Sequence, residues 1–149
     1  MTQPPKSSLC LEEQVCFSVY SAANAMVRAY RPLLQQLDLT YPQYLVMLVL
    51  WQHQGISVKT LGEKLHLDSG TLTPLLKRLA AKELVIRGRS ETDERVRVLH
   101  LTDAGIALKE KAQAVPKAML CQAGGDLEAL QQLKALCEQT LVHLQAKEP

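Results

Sequence analysis

No apolar run in the sequence approaches the roughly 18 residues that a membrane-spanning helix needs. The start, MTQPPKSSLC, is polar and proline-containing and lacks the basic-then-apolar order of a secretion signal. These absences lead to the expectation of a cytoplasmic protein with no membrane partner. No CxxC pair occurs, and no His/Cys cluster has zinc spacing, so neither a metal site nor a cofactor is expected. Cys10, Cys16, Cys121 and Cys137 are even in number, but thiols in a reducing compartment do not form a structural framework. They are left as inert buried thiols or redox-active ones. An excess of one charge is missing too: 17 Lys and Arg against 15 Asp and Glu leave a net charge of +2. That balance permits nucleic-acid binding without requiring it, so the distribution of charge decides. Internal repeats and low-complexity tracts are absent.

What is present suffices for a core. Apolar residues make up 47% of the 149-residue chain, a length that suits a single domain over 1–149. Residues 1–8 read as a loose tail. From Leu11 to Leu37, Val15, Val19, Ala22, Ala23, Met26 and Tyr30 recur at helical steps, with Pro32 bending or ending the helix. Thr40 precedes Tyr41-Pro42, a helix start, and the run Tyr44 to Trp51 is apolar all round, as in the middle of a core. Gly55 breaks this helix. Ser57 caps a short one, Val58 to Leu65, and His66-Leu67 forms a turn. Asp68 or Ser69 then caps a helix from Gly70 to about Lys82, with Leu72, Leu75, Leu76 and Leu79 on its inner stripe. Leu84 and Ile86, then Val96, Val98, Leu99 and Leu101, flank a polar loop from Arg87 to Arg95 and predict a β-hairpin with a charged tip. Thr102-Asp103 caps a helix from Ala104 to about Leu120, Gly124-Gly125 punctuates, and a last amphipathic helix runs from about Asp126 to Gln145.

This order is mainly α with a small β-wing. A winged helix-turn-helix over 41–101 lies between outer helices, 11–37 and 103–145, that lack an obvious partner within so small a module and are expected to form a homodimer interface. The second helix of a helix-turn-helix presents its N-terminal residues to base edges in the major groove. Here these are Ser69, Gly70, Thr71 and Thr73, short side chains that allow close approach, followed by Lys77 and Arg78 within reach of phosphate or guanine. The wing carries Arg87, Arg89, Arg95 and Arg97, suited to the negative minor groove. Glu91, Asp93 and Glu94 partly neutralise them, unless Asp93 orients a neighbouring arginine. Alone, the charge run describes a solvated hairpin; after a helix-turn-helix it describes a surface for operator double-stranded DNA.

The stretch LDSGTLTPLLKRL followed by GRSETDERVRVLHLTDAG resembles the MarR family of winged-helix repressors, above all in the D-x-R of the wing and the LTDAG after it. The segment VCFSVYSAANAMVRAYRPLLQQLDLTYPQYLVMLVLW looks like the organic hydroperoxide resistance (OhrR) branch, and the likeness covers nearly the whole chain from Glu12. The resemblance implies a repressor and not an enzyme, with no catalytic residues. Its reduced homodimer binds a palindromic operator, and an organic hydroperoxide oxidises the cysteine matching Cys16 to a sulfenic acid. Two partner-subunit tyrosines, matching Tyr20 and Tyr30, hydrogen-bond to that cysteine. In one branch a C-terminal cysteine of the other subunit, matching Cys121, closes a disulfide; the other branch uses small-molecule thiols. Oxidation lifts repression of a peroxide-resistance gene.

The residues are compatible with this. Cys16 and Tyr20 are four apart on one helix face. Tyr30, fourteen positions on, is close to the same face but about 21 Å along the axis, so an antiparallel partner helix is needed to bring it to a cysteine. Phenolic O–H donors favour a thiolate, which is what attacks peroxide. Phe17, Val19 and Trp51 are candidates for an apolar pocket around the thiol. Cys121 precedes Gly124-Gly125, a junction that suits a travelling thiol. Cys137, on the last helix, is the alternative resolving residue, and Cys10 falls in the tail. His53, His66, His100 and His143 are scattered and read as structural or solvated. The competing possibilities are a repressor of this fold controlled by a small aromatic ligand with Cys16 incidental, a thiol peroxidase, and a purely structural helical dimer.

Overall fold

The computed structural model describes residues 8–147. The tail expected over residues 1–8 lies outside them except for Ser8. The described chain runs through a short 3-10 turn at Leu11–Glu13, α1 (Val15–Gln35), α2 (Tyr41–Gln52), β1 (Ile56–Ser57), α3 (Val58–Leu65), α4 (Ser69–Ala81), β2 (Val85–Arg89), β3 (Arg97–Leu101), α5 (Asp103–Ala112), α6 (Val115–Gln122) and α7 (Leu127–Gln145). It divides into two compact units, one from Tyr30–Ala114 and one from Met1–Ala29 with Val115–Pro149.

The core of the Tyr30–Ala114 unit forms around α2. Thr40 caps this helix reciprocally: its hydroxyl accepts from the Gln43 amide, and the Gln43 side chain accepts from the Thr40 amide. With its start satisfied, the apolar run packs against α3, α4, β3 and α5. Val46, Met47 and Leu50 are fully enclosed, each contributing about 1.5–3 kcal/mol relative to exposure. Asp38, in the left-handed region at φ 52, turns the chain between α1 and α2. The Lys82 ammonium at the end of α4 closes on this corner, donating to the Asp38 carbonyl and, at 3.0 Å, to the Gln43 side-chain oxygen.

The helix-turn-helix is α3 and α4. Ser57 caps α3 through the Thr60 amide, and Asp68 caps α4 through the Thr71 amide at 2.7 Å, which settles the choice between Asp68 and Ser69. The turn depends on Gly62, where a Cβ would lie 2.7 Å from the Leu67 carbonyl oxygen. Leu61, Leu72, Leu76 and Leu79 are buried between the two helices and α2.

The strands form an antiparallel sheet ordered β1-β3-β2, with Val85 opposite Leu101, Arg87 opposite Leu99 and Arg89 opposite Arg97. Two expectations change here. Arg87 and Arg89, expected in the loop, belong to β2, because the ladder continues beyond the apolar residues until only residues 90–96 remain to turn. Ile56–Ser57, too short to carry alternation, adds a third strand against β3.

A third change lies beyond the sheet. The helix expected from Ala104 to about Leu120 is two helices, broken after Ala112. Pro116 lacks an N–H, and its ring would clash with the Ala112 carbonyl, so the chain restarts with Pro116 in the first turn of α6. Pro32, by contrast, is carried inside α1, only three residues before the helix ends.

In the other unit little is covered. No residue of α7 is buried, and Leu136, Val142 and Leu144 on it stand more than half exposed, as do Val15 and Tyr20 on α1. No helix among the described residues is long and apolar enough to cross a membrane.

Candidate nucleic-acid interface and thiol site

The first turn of α4 is fixed before any ligand arrives. Asp68 accepts the Thr71 backbone N–H and its hydroxyl, then the Gly70 N–H, and these bonds hold its carboxyl below the usual aspartate range. The Thr73 hydroxyl donates back to the Ser69 carbonyl at 2.7 Å. Of the three hydroxyls expected to reach outward, those of Thr71 and Thr73 are therefore engaged at the start of the helix, and that of Ser69 has no partner among the described residues. A Cβ at Gly70 would stand 3.4 Å from the Asp68 carboxylate, an ordinary contact. Lys77 and Arg78 are exposed one to two turns on.

The wing is tied at its tip. Asp93 accepts from the Arg95 backbone amide at 3.0 Å, with the exposed Arg95 Nε 3.6 Å away. Ser90 and Val96 close the loop through a backbone bond of 2.8 Å. Thr73 and Lys77 from α4 meet Arg87 and Arg97 from the wing around an open crevice of about 420 Å³, floored by Val58 and Leu76. Lys77, Arg87 and Arg97 have no ion-pair partner among the described residues.

The thiols sit elsewhere. Cys16 is exposed one residue into α1, with Phe17 and Val19 beside it about half exposed. Tyr20, one turn on, is exposed as well. Cys121 and Cys137 are exposed and free, on α6 and α7. Cys121 belongs to the last turn of α6, just before Gly124 and Gly125, both in left-handed backbone at φ 103 and 75. An apolar crevice of about 350 Å³ in this unit is lined by Ala22, Met26, Met119, Leu130 and Leu133 among others. Trp51, proposed from sequence as a pocket wall for Cys16, uses its indole N–H on the Gly105 carbonyl at 2.9 Å, within the other unit.

Tyr30 also belongs to that other unit. Its ring lies 4.7 Å from Tyr41 and 5.7 Å from Tyr44. Burial, and then the neighbouring Tyr41 and Tyr44, push its phenol up to about 12, so its O–H stays a donor throughout the ordinary pH range. Burial raises Tyr41 and Tyr44 likewise. Sequence reasoning passed over Tyr41 and Tyr44; their i, i+3 spacing at the start of an otherwise apolar helix was the available signal. Among the described residues no cluster of His, Cys, Asp or Glu could hold a metal ion.

These features have counterparts in known proteins. The family model for the transcriptional regulators SarA/Rot matches residues 28–112. The organic hydroperoxide resistance transcriptional regulator of Bacillus subtilis is 49% identical over 125 residues, 84% of this chain and 85% of that protein. Among solved structures, reduced AbfR bound to DNA, a protein of Staphylococcus epidermidis, is 36% identical, with a TM-score of 0.76 over 90% of this chain and 94% of that one. Disulfide-formed AbfR matches at 37% identity and a TM-score of 0.62, over 92% and 93% of the two chains. With the helix-turn-helix, the wing and the N-terminal cysteine all in place, the chain belongs to the MarR/SarA family of winged-helix transcriptional regulators, in its organic hydroperoxide resistance branch.

Proposed function

We propose that the protein is a redox-sensing transcriptional repressor whose reduced homodimer binds operator DNA and whose oxidation at Cys16 by an organic hydroperoxide releases it. The observation that carries this is the exposed thiol at the start of α1, in a chain 49% identical to an organic hydroperoxide resistance regulator. The exposed leucines and valines of α1 and α7 supply the apolar surface that a second copy would cover. Ser69, Gly70, Thr71, Thr73, Lys77 and Arg78 face the major groove, while Arg87, Arg89, Asp93 and Arg95 serve the wing.

In the reaction the Cys16 thiolate attacks the terminal peroxide oxygen. The O–O bond breaks, the alcohol leaves, and a sulfenate remains. A Cys121 thiol of the other subunit then displaces water from the sulfenic acid and forms the disulfide. One equivalent of hydroperoxide accepts both electrons given up by the two thiols, and the event is a switch rather than a turnover. Tyr20 and Tyr30 donate to Cys16 across the dimer in the reduced state, with Tyr41 and Tyr44 holding the Tyr30 ring. The protein acts in the cytoplasm, where thiols are kept reduced.

The test is operator binding by the reduced protein before and after one equivalent of cumene hydroperoxide, beside Cys16→Ser and Cys121→Ser. Release of the wild type but not of Cys16→Ser is expected, with a dimer band on a non-reducing gel that Cys121→Ser removes. Release of Cys16→Ser by peroxide would refute the redox reading.

A further inference from the structure

We infer that the inner face of the wing, centred on Arg97, is a clamp for one phosphodiester strand of the DNA, which runs through the crevice between the wing and α4. This rests on the DNA-binding reading above and assigns that surface a specific mode. Residues directly opposite each other in an antiparallel ladder share a face, and so do residues two apart on a strand. Val85, Leu99 and Leu101 occupy one face at the base of the hairpin and are buried. Along the same face toward the tip come Arg87, Arg89 and Arg97, all exposed. The core-facing side of the sheet thus turns from wholly apolar to wholly cationic within two residues. The opposite face carries Ile86, Gly88, Val98 and His100 and no arginine.

Two features say that an anion belongs there. Arg89 and Arg97 are direct cross-strand partners, a like-charge pair that disfavours the hairpin on its own. Among the described residues no carboxylate relieves it: the wing's Asp93 pairs with Arg95 instead. The crevice beside this face adds Lys77, again without a partner, and its lining contains no acidic residue. Thr73 also lines it, but its hydroxyl proton is spent on Ser69, so the attraction there is cationic.

The shape of the array favours a polyanion over a small ion. The arginines form a row, with Arg87 and Arg89 about 7 Å apart along the strand, and the row continues past the crevice toward the tip. A winged helix-turn-helix with α4 in the major groove and its wing in the adjacent minor groove must also have the intervening backbone strand between them. The crevice is the space between those two elements.

The experiment is fluorescence anisotropy of the reduced protein on a duplex of about 30 base pairs, selected by that protein from random DNA, and on a scrambled duplex of the same composition. Affinity is measured from 50 to 200 mM salt for wild type, Arg97→Gln, Arg87→Gln and Arg97→Lys. Each neutralised phosphate contact steepens the log–log salt slope by about 0.9. Each glutamine variant should therefore lose about 0.9 of slope on both duplexes, keep the preference between them, and lose about 3.5-fold less affinity across that salt range than wild type. Arg97→Lys should keep the wild-type slope.

An unchanged slope for Arg97→Gln would overturn the proposal, as would a loss confined to the selected duplex, which means base reading. So would Arg97-dependent thermal stabilisation by inorganic phosphate with both slopes unchanged, which means a small-anion site. Failure of wild type to bind either duplex would overturn the DNA-binding reading together with this one. Wild-type binding with an indifferent Arg97 overturns this one alone.

Discussion

Replacing Gly105 with alanine tests how α5 is docked onto the base of the wing. At an ordinary helix position the change would gain about 1 kcal/mol, because alanine is the better helix former. Here the added Cβ would lie 2.3 Å from the Leu84 carbonyl oxygen and 3.2 Å from a Leu101 methyl carbon. The carbonyl cannot rotate away, since it belongs to the backbone and already accepts from the Thr102 amide at 3.1 Å. Helix α5 must therefore back off. Overpacking of this kind costs about 1–3 kcal/mol and occasionally more. The shift also stretches the Trp51 indole bond to the Gly105 carbonyl, 2.9 Å in the intact chain, for about 1 kcal/mol. With the helix gain subtracted, a loss of about 1–3 kcal/mol remains, or a fall in melting temperature of about 2–12 °C. Urea unfolding at fixed protein concentration, followed by the fluorescence of the single tryptophan, reads it directly. Gly88→Ala is the control: nothing lies within 4 Å of its added Cβ, and a change within about 0.5 kcal/mol is expected. A Gly105→Ala protein as stable as wild type would refute the close approach of α5 to the Leu84 carbonyl.

Four further outcomes follow from the same geometry. Lys82→Met removes the ammonium that joins the end of α4 to the α1–α2 corner; a loss of about 1–2 kcal/mol in a thermal melt is expected, since Gln43 keeps its bond from Thr40. Asp38→Asn should change stability by less than about 0.5 kcal/mol, because its side chain is 92% exposed and only its carbonyl holds Lys82 firmly. Stability should fall between pH 10 and 12: Tyr30 is held protonated up to about 12 in the folded chain, whereas the unfolded chain has already released that proton near pH 10. The difference between about 10 and about 12 corresponds to about 2.7 kcal/mol, discounted to about 1–2 for the half-exposed ring, and Tyr30→Phe should flatten this limb of the stability curve. Asp93→Ala should leave the melt unchanged while weakening operator binding by about tenfold, because it frees the wing tip and Arg95.

The winged helix was legible because each of its starts is written in local chemistry. Thr40, Ser57, Asp68, Thr102 and Asp126 all cap the helices that follow them, each through a side chain three residues ahead of the amide it satisfies. Periodicity fixed the buried stripe of α4 for the same reason. The meeting of Tyr30 with Tyr41 and Tyr44 was not legible. A helical wheel groups Tyr30 with Cys16, because both are on α1. What brings Tyr30 against Tyr41 is the corner between two helices, set by a left-handed aspartate and closed by a lysine 44 residues away. No periodicity within one helix carries that information.

The wing shows where local pattern stops and register takes over. Arg87-Gly88-Arg89-Ser90 has the composition of a loop, since glycine and charge are depleted in strands. Yet once Val85 and Leu101 are buried opposite each other, an antiparallel ladder leaves no freedom: Arg87 must face Leu99, and Arg89 must face Arg97. Slipping the register by one residue would turn Val85, or Leu99 and Leu101, out into solvent. Hydrophobic burial at the base of the hairpin thus enforces a like-charge pairing near its tip that local electrostatics would reject. A hairpin free of outside constraint would be expected to place a carboxylate opposite one of those arginines. Because the two like charges stand on the face toward α4, the compensating negative charge is expected from outside the chain. The apolar base supplies the stability that keeps the arginine row ordered before the DNA backbone arrives.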